Sequence, residues 1–138
     1  RSNTVLSLAT SWGSVRVSRD INAAAITSLE RMDRSIRTAV GVDVAQSTFD
    51  THPGTLFLTG ATTTEFYLDG GVMLMQENGV DVGALSKGAV TVTNLIFRHI
   101  TDGAHAGIRI EMTLESSWGE IAKSETFYSF VTLRSTYQ

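Results

Sequence analysis

The chain has 138 residues, of which 42% are hydrophobic and 18% are charged, and its formal net charge at pH 7 is -3. These values are typical of one globular domain with an ordinary core, and they exclude a disordered chain. The charge is uneven, because residues 1–40 carry a balance of +3 and residues 41–138 a balance of -6. The negative charge of residues 41–138 argues against a general nucleic-acid binder. The absence of cysteine excludes disulfides, thiolate metal sites and cysteine nucleophiles.

The first forty residues carry a helical pattern. Apolar side chains recur there at steps of three or four, which is the spacing of one helical face. The stripe consists of Ile21, Ala25, Leu29, Met32, Ile36 and Val40. Gly41 follows directly, where a helix often ends at a residue that tolerates positive φ. The pattern predicts a helix over residues 20–40, with this stripe against the domain's own sheet.

A second apolar stripe precedes the first and contains Val5, Leu8, Trp12 and Val15. Its steps are also helical, but it lies about a third of a turn away from the later stripe. One continuous helix over residues 1–40 would therefore show two apolar faces, and nothing obvious in the chain covers the earlier one. The alternative is a separate short helix at residues 4–12, because Gly13 weakens a helix by roughly 1 kcal/mol relative to Ala.

From Val42 onward, alternation of apolar and polar residues replaces the helical period. The segment Asp69-Gly70-Gly71 predicts a tight hairpin, and the glycine-containing residues 77–88 predict a loop. Residues 108–114 alternate most clearly and predict a half-buried strand. No helix separates the strands, which excludes a parallel sheet. We therefore predict a single α+β domain over residues 1–138, with a long helix at 1–40 packed across an antiparallel sheet from 42–138.

The sequence contains no recognisable catalytic motif. Zinc requires three or four protein ligands, and the three histidines, His52, His99 and His105, are better explained as turn and surface residues. Asp81 and Asp102 lie beside glycines, but calcium needs six to eight oxygen ligands. We predict neither an enzyme nor a metal or cofactor site.

The segment AITSLERMDRSIRTAV resembles the end of the long N-terminal helix of type IV pilin-like proteins. Minor pilins and pseudopilins often carry there a Leu, an Arg, an Asp and another Arg ahead of a small residue. In this sequence those positions are Leu29, Arg31, Asp33, Arg37 and Ala39. The strands that follow resemble those of the family in the segments PGTLFLTG, TEFYLDGGVMLMQENG, LSKGAVTVTNLIFRH, GIRIEMTLES and TFYSFVTLRS. The resemblance therefore covers essentially the whole chain. The lack of the C-terminal disulfide of many major pilins favours a minor pilin or pseudopilin with a pilin-like fold.

The resemblance implies a non-enzymatic structural subunit of a type IV pilus or type II secretion-like filament. It implies that a leader and a hydrophobic membrane helix precede Arg1, and that the domain lies in the periplasm or in an extracellular filament. The expected partners are other pilin or pseudopilin subunits and an inner-membrane assembly platform, with no nucleic acid outside a DNA-uptake pilus. Leader cleavage, N-methylation and ATP hydrolysis would belong to these partners. The expected subunit-interaction residues are Val5, Leu8, Trp12 and Val15.

A different class of function remains open at this point. The chain would then be a soluble α+β ligand-binding domain, with an apolar pocket lined by Phe57, Tyr67, Phe97 and Phe130. Changes at these aromatics would then abolish function, whereas changes in the first helical half would not.

Overall fold

The computed structural model describes residues 2–86, 88–103 and 105–133, with side chains described from residue 11 onward. One continuous helix, α1, spans Ser2–Thr38, so the separate helix at residues 4–12 is not observed. The helix ends at Thr38 and not at residue 40 as predicted, and the backbone N–H of Val40 donates to the carbonyl of Thr59 at 2.8 Å. Val40 therefore does not belong to the buried stripe and is exposed.

The first sheet has five antiparallel strands in sequence order. They are β1 (Gly41–Val42), β2 (Leu56–Thr59), β3 (Thr64–Asp69), β4 (Val72–Glu77) and β5 (Val80–Ala84). The hairpin predicted between β3 and β4 is confirmed, since Gly70 and Gly71 both have positive φ, at 59° and 79°. The loop predicted over residues 77–88 is wrong. A second tight turn at Asn78 and Gly79 sends the chain back as β5, which pairs with β4.

The second sheet has three long antiparallel strands, β6 (Val90–Asp102), β7 (His105–Trp118) and β8 (Ile121–Thr132), with β7 in the centre. Along β7 the alternation follows the prediction, because Ile108, Ile110, Met112 and Leu114 are all buried. The backbone of β6 forms hydrogen bonds with residues that adjoin strands of the first sheet. The backbone N–H of Val92 donates to the carbonyl of Gly71 at 2.8 Å, and that of Gly54 to the carbonyl of Leu95 at 2.8 Å.

The predicted α+β, pilin-like fold with one antiparallel sheet is therefore wrong. Over the residues that the structure describes, the protein is mostly β, with two antiparallel sheets and one N-terminal helix. The physical reason is that alternation identifies strands without identifying their partners. The chain ends its first sheet at Ala84 and begins a second at Val90, and this change of sheet leaves no mark in the apolar pattern.

One hydrophobic core joins the helix to both sheets. The buried apolar residues of α1 follow one another at steps of four or seven: Val17, Ile21, Ala25, Met32 and Ile36. Ser28 is also buried, whereas Leu29 is only partly buried against the core. Arg31 of the helix also lies 3.9 Å from Glu77 of β4, which ties α1 to the first sheet at the surface.

The buried stripe predicts unequal effects for two substitutions in α1. Ile36→Ala should lower the free energy of unfolding by about 2–5 kcal/mol, because Ile36 is fully buried and its loss would leave a cavity. Glu30→Ala, an exposed change in the same helix, should cost less than about 0.5 kcal/mol. Chemical denaturation of both variants measures the difference. Equal shifts in the unfolding midpoint would show that the buried face has been misassigned.

Candidate functional site

The predicted interaction residues lie in the first half of α1. The side chains of Val5 and Leu8 lie outside the described part of the structure, which gives only their helical backbone. Trp12 is 53% exposed and Val15 is 63% exposed. Both side chains lie off the buried stripe, which at this level of the helix passes through Gly13 and Val17. The structure therefore leaves Trp12 and Val15 with large apolar surfaces in contact with solvent.

Gly13 marks the point at which α1 meets the end of the second sheet. A Cβ atom added at Gly13 would collide with the ring of Trp118 and would lie 2.7 Å from Cδ1 of Ile121. Trp118 and Ile121 face each other across the β7–β8 turn. The sequence suggested that Gly13 weakens the helix, but here its lack of a side chain permits close contact with the hairpin.

Trp12 is also held from two sides by its own domain. Its ring meets that of Trp118 edge to face, with centroids 5.1 Å apart and an interplanar angle of 70°. The guanidinium of Arg16 lies over the Trp12 ring, 5.6 Å from its centroid. The contact with Trp118 was not predicted, because Trp118 is the last residue of β7 and lies outside the alternating residues 108–114. These contacts fix the orientation of Trp12 while leaving about half of its surface exposed.

A polar cluster links α1 to β8 further along the helix. Nζ of Lys123 donates a hydrogen bond to Oγ of Ser18 at 2.9 Å. Another cluster crosses the first sheet, where the hydroxyl of Tyr67 and Nε2 of Gln76 each donate to Oδ1 of Asp81 at 3.0 Å. Burial, together with the neighbouring Asp81 carboxylate, raises the pKa of Tyr67 above its ordinary value. The first hydrogen bond joins α1 to β8, and the others join β3, β4 and β5.

A third polar cluster lies on the second sheet around Glu111. Nδ2 of Asn94 donates to Oε2 of Glu111 at 2.8 Å, and Arg98 donates to Oε1 at 3.0 Å. The hydrogen bond from Asn94, and next that from Arg98, holds the pKa of the Glu111 carboxyl below its usual value. Both carboxylate oxygens are thus occupied by donors, so Glu111 is poorly suited to accept a proton as a general base.

The three histidines have different partners. Nδ1 of His52 accepts the backbone N–H of Leu95 at 2.9 Å. The ring of His99 stacks on that of Phe49, with centroids 5.5 Å apart. His105 begins β7, where it lies opposite Asp102 of β6 in the strand register. Within the described ranges, no three potential ligands among His, Asp and Glu come close enough to hold a metal ion.

The structure does not bring together the aromatics of the alternative ligand-binding hypothesis. Phe97 is buried in the core, whereas Phe130 is exposed on the opposite face of the second sheet. Phe57 and Tyr67 are half-buried on the first sheet. Four aromatics at strand spacing therefore face different surfaces, and they do not line a common pocket.

No protein-family model matches the chain, and no curated protein and no solved structure is significantly similar to it. In the part of the chain that is described, no helix combines the length and the apolar character needed to cross a bilayer. The function must therefore be inferred from the residues and their geometry.

The Glu111 cluster generates a prediction about pH. Because the pKa of Glu111 is lowered in the folded state, its contribution to stability is present above the unfolded value, near 4.5, and is lost as the pH falls through the folded pKa. A carbon-detected NMR titration of the Glu111 carboxyl should give a midpoint below 4.5. Asn94→Ala should raise that midpoint, whereas Asn22→Ala in the exposed part of α1 should leave it unchanged. A midpoint unaffected by Asn94→Ala would contradict the assigned cause.

Proposed function

We propose that this chain is a non-enzymatic structural subunit that assembles with other subunits through the exposed apolar side of the first half of α1. The observation that carries the proposal is the position of Trp12 and Val15. Both are exposed on the helix, away from the stripe that the domain buries. We call Val5, Leu8, Trp12 and Val15 the assembly face.

The shape of α1 supports this proposal. The helix has 37 residues, and its backbone from Ser2 to Trp12 lies on the N-terminal side of Gly13, where α1 packs against Trp118 and Ile121. At 1.5 Å per residue, this segment offers about 17 Å of helix for contacts with neighbouring chains. Helices that pack side by side bury apolar stripes, and the assembly face has the spacing of such a stripe.

Burying the assembly face against a neighbouring chain would contribute favourable free energy to association. Burial of a fully exposed Val or aromatic side chain is favourable by about 1.5–3 kcal/mol. Several such residues on each of two helices could contribute enough to offset part of the entropy lost on association. Trp12 is already oriented by Trp118 and Arg16, so less freedom is lost when it docks.

The class of assembly that we propose is a type IV pilus or type II secretion-like filament, with this chain as a minor pilin or pseudopilin. The support is the sequence resemblance along residues 25–40. Three charged residues that carry this resemblance form ion pairs. Arg37 pairs with Asp33 at 3.1 Å, and Arg31 pairs with Glu77. The partners would be other pilin or pseudopilin subunits and an inner-membrane assembly platform. The domain would be anchored by a membrane helix preceding this sequence, and would lie in the periplasm or in an extracellular filament.

Charged substitutions on the assembly face test this proposal. Val15→Glu should leave the melting temperature of the 138-residue chain within about 2 °C of the original, because surface changes are usually worth less than 0.5 kcal/mol. In the full-length protein, expressed with its own assembly genes, the same change should abolish incorporation into filaments and co-purification with sister subunits. Trp12→Glu should act in the same way, with a small added loss of stability from its contact with Trp118.

The matched control is Val80→Glu on β5. Val80 is 67% exposed, as Val15 is 63% exposed, but it lies on the first sheet and not on α1. It should assemble normally. If Val15→Glu assembles as well as the original protein, or if Val80→Glu fails to the same extent, the assembly face is not where subunits meet.

A further inference from the structure

The second sheet has an outer face that α1 and the core leave uncovered. On it, Tyr128 is 68% exposed and Phe130 is 52% exposed, although both are large aromatic residues on a 12-residue strand. Their neighbours across β7 are polar, since Glu111 pairs with Tyr128 and Arg109 with Phe130. The outer face is therefore a mixed surface in which aromatic rings lie among charged side chains.

Phe130 lies along the sheet instead of standing away from it. The far edge of its ring reaches Gly107 on β7, where an added Cβ atom would collide with Cζ and lie 2.8 Å from Cε1. Gly107 pairs with Thr132, so the ring crosses diagonally to the neighbouring strand. The glycine thus makes room for the ring, and about half of the Phe130 side chain remains open to solvent.

Two shallow depressions meet at Phe130. The first, of about 540 Å³, is lined by Arg98, Arg109, Glu111 and Tyr128. The second, of about 330 Å³, is lined by Ile100, Asp102 and His105. Phe130 belongs to both, so an exposed aromatic ring lies between two groups of hydrogen-bonding side chains.

The polar groups of the first depression are already arranged. Asn94 and Arg98 hold the two oxygens of Glu111, which fixes the carboxylate before any ligand arrives. Arg109 is exposed, and among the described residues no carboxylate lies within 4.0 Å of its guanidinium. Its donors therefore remain available to a ligand. A fixed carboxylate and an available planar guanidinium suit a ligand that both donates and accepts hydrogen bonds.

From this geometry we propose that the outer face binds an oligosaccharide, with one pyranose ring stacked on Phe130. A pyranose has an apolar face of C–H groups and a rim of hydroxyl groups. The C–H face would lie on the exposed ring of Phe130. The hydroxyl rim would reach Arg109 and Glu111 on one side, and Asp102 and His105 on the other. Depressions on both sides of the ring allow a chain of sugar units to continue in either direction.

Other occupants fit the outer face less well. A compact apolar ligand needs a pocket that buries most of its surface, and these depressions are too open. A second copy of this chain would need a larger continuous apolar area than two aromatics interrupted by Arg109 and Glu111. An added peptide strand would require a free backbone edge and not a sheet face.

The proposal is tested by titrating the isotope-labelled 138-residue chain with three hexasaccharides, β-1,4-linked glucose, β-1,4-linked N-acetylglucosamine and α-1,4-linked galacturonic acid. At least one should cause saturable shifts of the amide signals of Gly107, Arg109 and Phe130. Phe130→Leu, which removes the ring, should weaken binding about tenfold or more, because the C–H face of the sugar would lose the aromatic surface on which it lies. Phe130→Tyr should preserve binding. Arg109→Ala should weaken it while leaving the folded spectrum unchanged.

Two further variants separate this site from the assembly face. Trp12→Leu, a change at an exposed aromatic in α1, should bind the same sugar as the original chain does, and so should Val15→Glu. Lack of binding to all three hexasaccharides would overturn the proposal, as would unchanged binding by Phe130→Leu. Outer-face shifts that depend on protein concentration without added sugar would show that a second copy occupies the face instead.

Discussion

The buried face of α1 is the constraint on which the rest of this structure depends. From Gly13 to Ala39, the helix and the residue directly after it present one continuous stripe to a core that both sheets share. The stripe advances by about 3.7 residues per turn, close to the helical repeat, so it stays on one side over roughly seven turns. A residue directly before Gly13 must then point about 100° away from it. The exposure of Trp12 follows from the burial of Gly13, and the exposed side of the helix is therefore a consequence of the core.

The features that could be predicted from the sequence are those encoded by local periodicity. Ile21, Met32 and Ile36 were expected in the core, as were the alternating residues of β7, because each pattern repeats within a few residues. The β3–β4 hairpin was predictable for the same reason, since its two glycines occupy backbone angles that other residues rarely adopt. The positions of Trp12 and Val15 off the main stripe could likewise be read from their angular offset. Their role in assembly remains a prediction.

The features that could not be predicted depend on contacts between distant parts of the chain. The division into two sheets is set by strand pairing, which alternation does not encode, and β5 was missed because its residues are all exposed. Two glycines permit close contacts with aromatic rings, and the sequence does not reveal either contact. Gly13 makes room for Trp118, and Gly107 makes room for the ring of Phe130. In each case the glycine and the aromatic lie far apart in sequence, so neither signal can be recognised until the fold is known.

The central claim is that neighbouring subunits cover the exposed side of α1. The chain contains no cysteine, so Val15→Cys introduces a single thiol at a residue that is 63% exposed. The decisive measurement is the reactivity of this thiol towards a bulky maleimide in the protein as its own cells produce it, before and after assembly. The account predicts rapid labelling of the free subunit, strong protection in the assembled state, and disulfide or bifunctional cross-links to a neighbouring α1. Equally rapid labelling in both states, without cross-links, would contradict it.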